Sequence, residues 1–265
     1  MAQNLMQPKE RLFMQAGVSL SLFLALSCSA IAQAQEVSVP PVFNIFELVI
    51  KPDKNSAYDS LAKKNITASV TGEPGTLAMY SANKKTNPSV AYVFEIYADN
   101  EAYNQHLNST SYKEFLRHSA DILETSQKRK LDVVPQFLAD KNIVQSDLTI
   151  NNFVIVDVKS EFSAAFRHVV LPEMAQSIKL EEGVLAMYAV IDKANPHRWY
   201  FYEIYASEAA YQAHRLTPHF KEYIQKSAEM TTYKEAIAIK PGKLMNKGGL
   251  KYEIESAPEN KAVKN

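Results

Sequence analysis

The apolar and polar positions of this chain run through one programme and then repeat it. A short apolar strand is predicted at 42–50 and again at 153–158. Each is followed by a helix, near 54–69 and 160–180, and Pro172 is expected to kink or interrupt the second. Gly75 and Gly183 punctuate the entry to strands rich in Leu, Met and Tyr; Asn87-Pro88 or Asn195-Pro196 then marks the turn into an antiparallel neighbour. In that neighbour Ala91, Val93, Glu95 and Tyr97 share one face and Tyr92, Phe94 and Ile96 the other. The second copy sets Trp199, Phe201, Glu203 and Tyr205 against Tyr200, Tyr202 and Ile204. Both faces are apolar, so both must be covered. A helix with Tyr103, His106 and Leu107 at i, i+3, i+4 spacing, a second helix near 111–126 and a last strand near 131–138 complete the unit.

The two copies align without gaps at an offset of 108 residues, with 21 identities in the 48 positions from Glu73 to Ala120. A period this long means two domains; solenoid repeats run to ~20–50 residues. The order β-α-β-β-α-β is the ferredoxin-like split unit, whose helices cover one face of its sheet. The second copy is the natural cover for the other face. The predicted fold class is therefore α+β, two ferredoxin-like modules packed sheet to sheet within one chain, over 41–140 and 150–245.

Residues 1–34 read as an export signal. Lys9 and Arg11 flank an apolar run from Ala16 to Ala32, and Ala32-Gln33-Ala34 is a small-x-small cleavage pattern. A retained membrane anchor is the alternative reading, although the run falls somewhat short of the ~20 residues a span needs. Cys28, the single cysteine, lies in this segment after Ala25-Leu26-Ser27, loosely like a lipoprotein attachment site. Its removal would exclude thiol catalysis, thiolate metal sites and disulfides together. A secreted or bacterial periplasmic location is expected, with no stable membrane insertion after cleavage. The tail 247–265 is polar and charged, and poor order is expected there.

Composition narrows the partners. Lys plus Arg and Asp plus Glu number 29 each, and no segment is basic enough to neutralise a run of phosphates, so nucleic acid is not an expected partner. No Gly-rich phosphate loop or dinucleotide fingerprint occurs, and no His, Asp and Glu spacing suggests a metal site. The polar constellation that stands out is Glu95 with His106, repeated as Glu203 with His214. A carboxylate on an apolar strand needs a partner or a polar pocket. His106, eleven residues later on the helix that packs back over the sheet, could be that partner. A carboxylate beside an imidazole orients the ring and equips it for proton transfer near neutral pH. The same residues could instead be a buried pair that anchors helix to sheet.

Glu73-Pro74-Gly75-Thr76-Leu77, Glu95-Ile96-Tyr97-Ala98, Glu101-Ala102-Tyr103, His106 and Ser111-Tyr112-Lys113 resemble the antibiotic biosynthesis monooxygenase (ABM) superfamily of dimeric α+β barrels. Glu203-Ile204-Tyr205-Ala206, Ala210-Tyr211, His214 and Pro218-His219-Phe220-Lys221 repeat the resemblance. Members usually pair two chains, so the resemblance implies an intrachain pseudo-dimeric barrel here, with further self-association left open. The superfamily includes cofactor-independent oxygenases of quinols and phenols, haem-degrading enzymes, isomerases of small sugars and members without assigned activity. Haem-degrading relatives carry a Trp where this chain has His106 or His214, and a haem-ligating His about ten residues later. Leu116 and Ile224 stand there instead, which disfavours haem.

The expected function is an exported, cofactor-free monooxygenase acting on a small aromatic substrate and dioxygen. His106 and His214 would be the bases, Glu95 and Glu203 their orienters, and Tyr80, Tyr97, Tyr188, Trp199 and Tyr205 the substrate contacts. The alternative is a binding protein of the same fold that captures a small molecule without chemistry. Ala91 against Trp199 and Leu107 against Arg215 would shape the two pockets unequally.

Overall fold

The computed structural model describes residues 39–254, so the expected export segment, Cys28 and the end of the tail lie outside the described residues. The first repeat runs β1 (Val42–Val49), α1 (Asn55–Gly72), β2 (Thr76–Lys84), β3 (Asn87–Tyr97), α2 (Asn100–Asn108), α3 (Thr110–Ser119), β4 (Arg129–Leu131) and β5 (Val133–Asp140). The second follows the same order with β6 (Ile150–Val158), α4 (Ser163–Leu180), β7 (Val184–Asp192), β8 (Arg198–Tyr205), α5 (Glu208–Leu216), α6 (Pro218–Ser227), β9 (Thr231–Ile237) and β10 (Ile239–Asn246). A short β11 (Lys251–Glu253) ends the described chain.

Two antiparallel sheets form, in the orders β10-β2-β3-β1-β4 and β11-β5-β7-β8-β6-β9. The alternation in β3 and β8 decides how they pack. Tyr92, Phe94 and Ile96 join Tyr200, Tyr202 and Ile204 in one buried cluster between the sheets. There the Phe94 and Tyr202 rings stack with centroids 3.8 Å apart. The opposite faces are covered by each repeat's own helices. Ala91 and Val93 pack with Tyr58 and Ala62 of α1, and Trp199 and Phe201 with Phe166 and Val170 of α4.

The last strands depart from expectation. The segment predicted to close each unit breaks at Asp132: β4 pairs with β1 of its own sheet, while β5 crosses to pair with β7. Likewise β10 leaves the second repeat to pair with β2. The two units exchange strands because the free edges of β2 and β7 demand partners, and β5 and β10 carry faces apolar enough to serve across the interface. Residues 247–254 differ from the poor order expected of the tail. Leu250 is buried, and β11 extends the second sheet beside β5, after a turn through Gly248 and Gly249, both at positive φ.

Pro172 leaves α4 unbroken from Ser163 to Leu180. Its ring removes one helical donor, and packing of the helix against the sheet outweighs that loss. The helix near 111–126 ends early, at Ser119, and a single 3-10 turn, Thr125–Gln127, leads into β4.

Candidate functional site

The local sequence aims the two histidines inward. Asp99 caps α2 by accepting from the Ala102 amide at 2.8 Å, and Ser109 caps α3 through the Tyr112 amide at 3.2 Å. Ser207 and Thr217 repeat both caps in the second copy. Each short helix is thereby fixed at its entry, with His106 or His214 in the last turn of the first. Gly75 and Gly183 let these helices approach closely, because a Cβ at either would strike Ala102 or Ala210.

The partner of each histidine is not the strand glutamate. His106 Nδ1 lies 2.9 Å from Glu73 Oε2, and His214 Nδ1 lies 3.0 Å from Glu181 Oε1. Glu95 instead accepts from the Tyr97 hydroxyl at 2.9 Å, and Glu203 from that of Tyr205 at 2.8 Å. Neither strand glutamate comes within 4 Å of the imidazole nitrogens, so Glu95 and Glu203 do not orient the rings. The position of α2 brings the α1–β2 junction to the ring instead. Glu73 there also accepts from Thr76 at 2.6 Å and from Ser111 at 3.1 Å, tying α1, β2, α2 and α3 together.

A carboxylate only accepts, so Nδ1 of His106 is the protonated nitrogen and Nε2 carries the lone pair. Nε2 is buried and has no hydrogen-bond partner. It faces a cavity of about 110 Å³ between the first sheet and α1–α3, lined by Phe46, Tyr58, Asn65, Val93, Glu95, Tyr103, Tyr112 and Phe115 among others. The Tyr58 hydroxyl and Asn65 Oδ1 are likewise buried and unpartnered. Burial pushes the Glu95 carboxyl up from its ordinary value, opposed by the His106 charge whenever that ring takes a second proton and by the Tyr97 hydrogen bond. Burial also opposes ionisation of Glu73, but hydrogen bonds from Thr76 and His106, joined by the His106 charge whenever that ring is protonated, hold its carboxyl below the usual range.

The second repeat has the same scaffold, with bulkier side chains in the corresponding space. Trp199, Phe201, Phe166 and Tyr223 occupy the space between sheet and helices, with Trp199 and Phe201 stacked 5.8 Å apart. His214 is enclosed by Glu181 on one side and Glu173 on the other, where Glu173 Oε1 is 3.8 Å from Nε2. His219 adds a 2.7 Å contact to Glu181. Burial pushes the Glu173 carboxyl up to about 8, helped by the charges of Glu203 and Glu181 and opposed by a hydrogen bond from Ser177. The space outside this filled core is a shallow groove lined by Arg215, Leu216, Phe220, Ile224 and Lys234, among others, and neither His214 nor Glu203 reaches it.

The tyrosines scatter. Tyr80 and Tyr188 lie between the sheets, bonded hydroxyl to hydroxyl at 2.8 Å, and Tyr188 donates to Asp140 at 2.7 Å. Trp199 and Tyr205 are core residues of the second repeat. Tyr97 stands behind the cavity wall, holding Glu95, with its ring 5.2 Å from that of His106. None of the five lines the cavity. Glu73, which does hold the His106 ring, was visible as a glutamate repeated at Glu181 and as part of the Glu73-Pro74-Gly75 motif; Tyr58, Asn65 and Phe115 carried no signal in the sequence.

Residues 41–118 and 151–226 each match the antibiotic biosynthesis monooxygenase (ABM) family. The chain belongs to that family. Two solved structures, each a protein named only provisionally as a monooxygenase, share the tandem architecture. One is from Lactobacillus acidophilus, 27% identical, with 81% of this chain and all of that one aligned at a TM-score of 0.77. The other, from Fusobacterium nucleatum, is 28% identical over 82% of this chain and all of its own, also at 0.77. An anthrone oxidase-like protein aligns over 84% of this chain and 99% of its own at a TM-score of 0.50 and 11% identity, a likeness of fold alone. No functionally curated protein matches the sequence. As an ABM tandem, the chain makes within itself the sheet-to-sheet pair of the fold. One polypeptide can therefore keep an open cavity in one repeat and fill the other.

Proposed function

We propose that the first repeat is a monooxygenase site for a small phenol or quinol, needing no cofactor, in an exported protein. The observation that carries this reading is the buried, unpartnered His106 Nε2 facing an apolar cavity, with Nδ1 anchored on Glu73. A phenolic hydroxyl placed there would give Nε2 its proton. Tyr58 and Asn65 are positioned to bond a second hydroxyl. A cavity of about 110 Å³ is smaller than one that admits a single benzene ring (~150 Å³), so the substrate is limited to one ring and the lining side chains give way as it binds.

Proton removal leaves an electron-rich phenolate. It reduces dioxygen by one electron, and the resulting radicals combine into a ring hydroperoxide. Loss of water from the hydroperoxide leaves one oxygen atom on the ring; the other departs in the water, and the substrate supplies every electron. His106 holds the first proton and can return it to the leaving oxygen. Burial keeps Glu95 from ionising readily beside the developing anion. In the second repeat His214 is enclosed between Glu181 and Glu173, so the reading assigns the chemistry to the first repeat.

The test is oxygen uptake by the mature chain with a panel of one-ring quinols and phenols, together with ligand binding. His106→Gln is expected to lower turnover by about 10²–10⁴-fold. Tight binding of these compounds without oxygen uptake, unchanged in His106→Gln, would instead identify a binding protein.

A further inference from the structure

The second repeat differs from the first at two positions that matter together. Asn65 of α1 is replaced by Glu173 of α4, and Ser111 of α3 by His219 of α6. With His214 of α5, these bring one potential ligand from each of three helices into a single cluster, whose donor atoms all lie within 4.8 Å of one another. We propose that Glu173, His214 and His219 form a site for a divalent transition-metal ion of the zinc type.

The hydrogen bonding is already set for it. His214 Nδ1 and His219 Nε2 both contact Glu181 Oε1, at 3.0 and 2.7 Å. A carboxylate that orients an imidazole in this way leaves the opposite ring nitrogen with its lone pair free for a metal. For His214 that nitrogen is Nε2, and what it faces, at 3.8 Å, is the carboxylate oxygen of Glu173. The two atoms confront each other in a buried setting, and a metal ion that binds between them takes the place of any proton they hold. An ion held at ~2.0–2.2 Å from each ligand atom requires ligand separations of roughly 3.3–3.6 Å, close to what Glu173 and His214 already have. The ligand atom of His219 lies within 4.8 Å of the other two, near enough to complete the triangle by a side-chain movement.

Two imidazoles and one carboxylate form a donor set suited to zinc, with a fourth position left for water or for Glu181. His219 is 11% exposed, while Glu173 and His214 are 6% and 2% exposed, so His219 marks the route from solvent. The bound ion would tie α4, α5 and α6 together. The first repeat, with Asn65 and Ser111, lacks two of the three ligands and keeps His106 free for its cavity.

The experiment uses the mature chain stripped with a chelator and dialysed against Zn2+, with Co2+ as a spectroscopic probe. One Zn2+ per chain is expected, with a rise in melting temperature on adding Zn2+ and with cobalt absorption bands characteristic of low coordination number. Glu173→Asn and His219→Ser restore the residues that the first repeat carries at these places, where the same scaffold tolerates them. Each should weaken Zn2+ binding by more than ~100-fold, beyond the ~10–100-fold that loss of an outer hydrogen-bond partner such as Glu181 causes. His106→Gln should leave Zn2+ binding intact whatever the fate of the oxygenase reading. Absence of stoichiometric binding, or binding that survives both ligand substitutions, overturns the proposal.

Discussion

Filling the cavity of the first repeat with the aromatic bulk that nature placed in the second tests both the site and the energetics of keeping it open. Val93 lines the cavity, and its counterpart is the buried Phe201. Val93→Phe projects a ring into the space beside His106. Residual cavity volume costs ~24 cal/mol per Å³, so about 110 Å³ corresponds to an upper bound of about 2.6 kcal/mol gained on filling. For a chain of this size that is a rise in Tm of roughly 5–10 °C at most. The gain falls below the bound because His106 Nε2 and the Tyr58 hydroxyl remain unpaired after an apolar ring enters. The expected outcome is therefore a variant as stable as the parent or more stable, with turnover and ligand binding abolished, the stability–activity trade-off of a site kept open for use. Urea denaturation followed by circular dichroism measures the first quantity. The single tryptophan, Trp199, buried in the other repeat, reports independently whether both halves unfold together. A variant that loses about 1–3 kcal/mol, as an overpacked core does, shows that the space is not available as described. A variant that keeps full activity removes this cavity as the site.

Glu73→Gln should keep the His106 ring in place but weaken its anchor, lowering kcat by about 10–100-fold with little change in KM, less than loss of His106 itself; stopped-flow oxygen consumption separates the two. Gly75→Ala sets a methyl group against Ala102 and should destabilise the chain by about 1–3 kcal/mol, seen as a lower urea midpoint at an unchanged m-value. The Arg198 hydrogen bond, chiefly, and the Arg198 charge hold Asp157 below the ordinary carboxylate range. A depressed folded value contributes stability that is present above the unfolded value, near ~4, and is lost as pH falls through the folded one. Arg198→Gln should thus cost about 0.5–1 kcal/mol at pH 7, the figure being small because the pair is partly exposed, and progressively less as the pH falls through the folded value. A difference between the two proteins that does not shrink on acidification would contradict the pairing.

Much of this molecule is written in one dimension. The duplication and the alternation in β3 and β8 act between residues near in sequence or related by the repeat, so inspection of the chain finds them. Two apolar faces on one strand were enough to require a second sheet, because buried surface must be covered from both sides. Pairing at a distance was not legible in this way. Glu95 and Glu73 are both repeated glutamates, and only the placement of α2 over the α1–β2 junction decides that His106 bonds to the second. Strands β5 and β10 carry no mark of which sheet they join, since an edge offers the same backbone groups to either. The tyrosines that looked like a pocket divide between the two faces of the sheets according to register. The inequality of the repeats was foreshadowed by Ala91 against Trp199, but whether that difference leaves a cavity or a solid core depends on how the surrounding side chains fill a volume. Volume is a property of three-dimensional packing, and on it rests the difference between the open His106 and the enclosed His214.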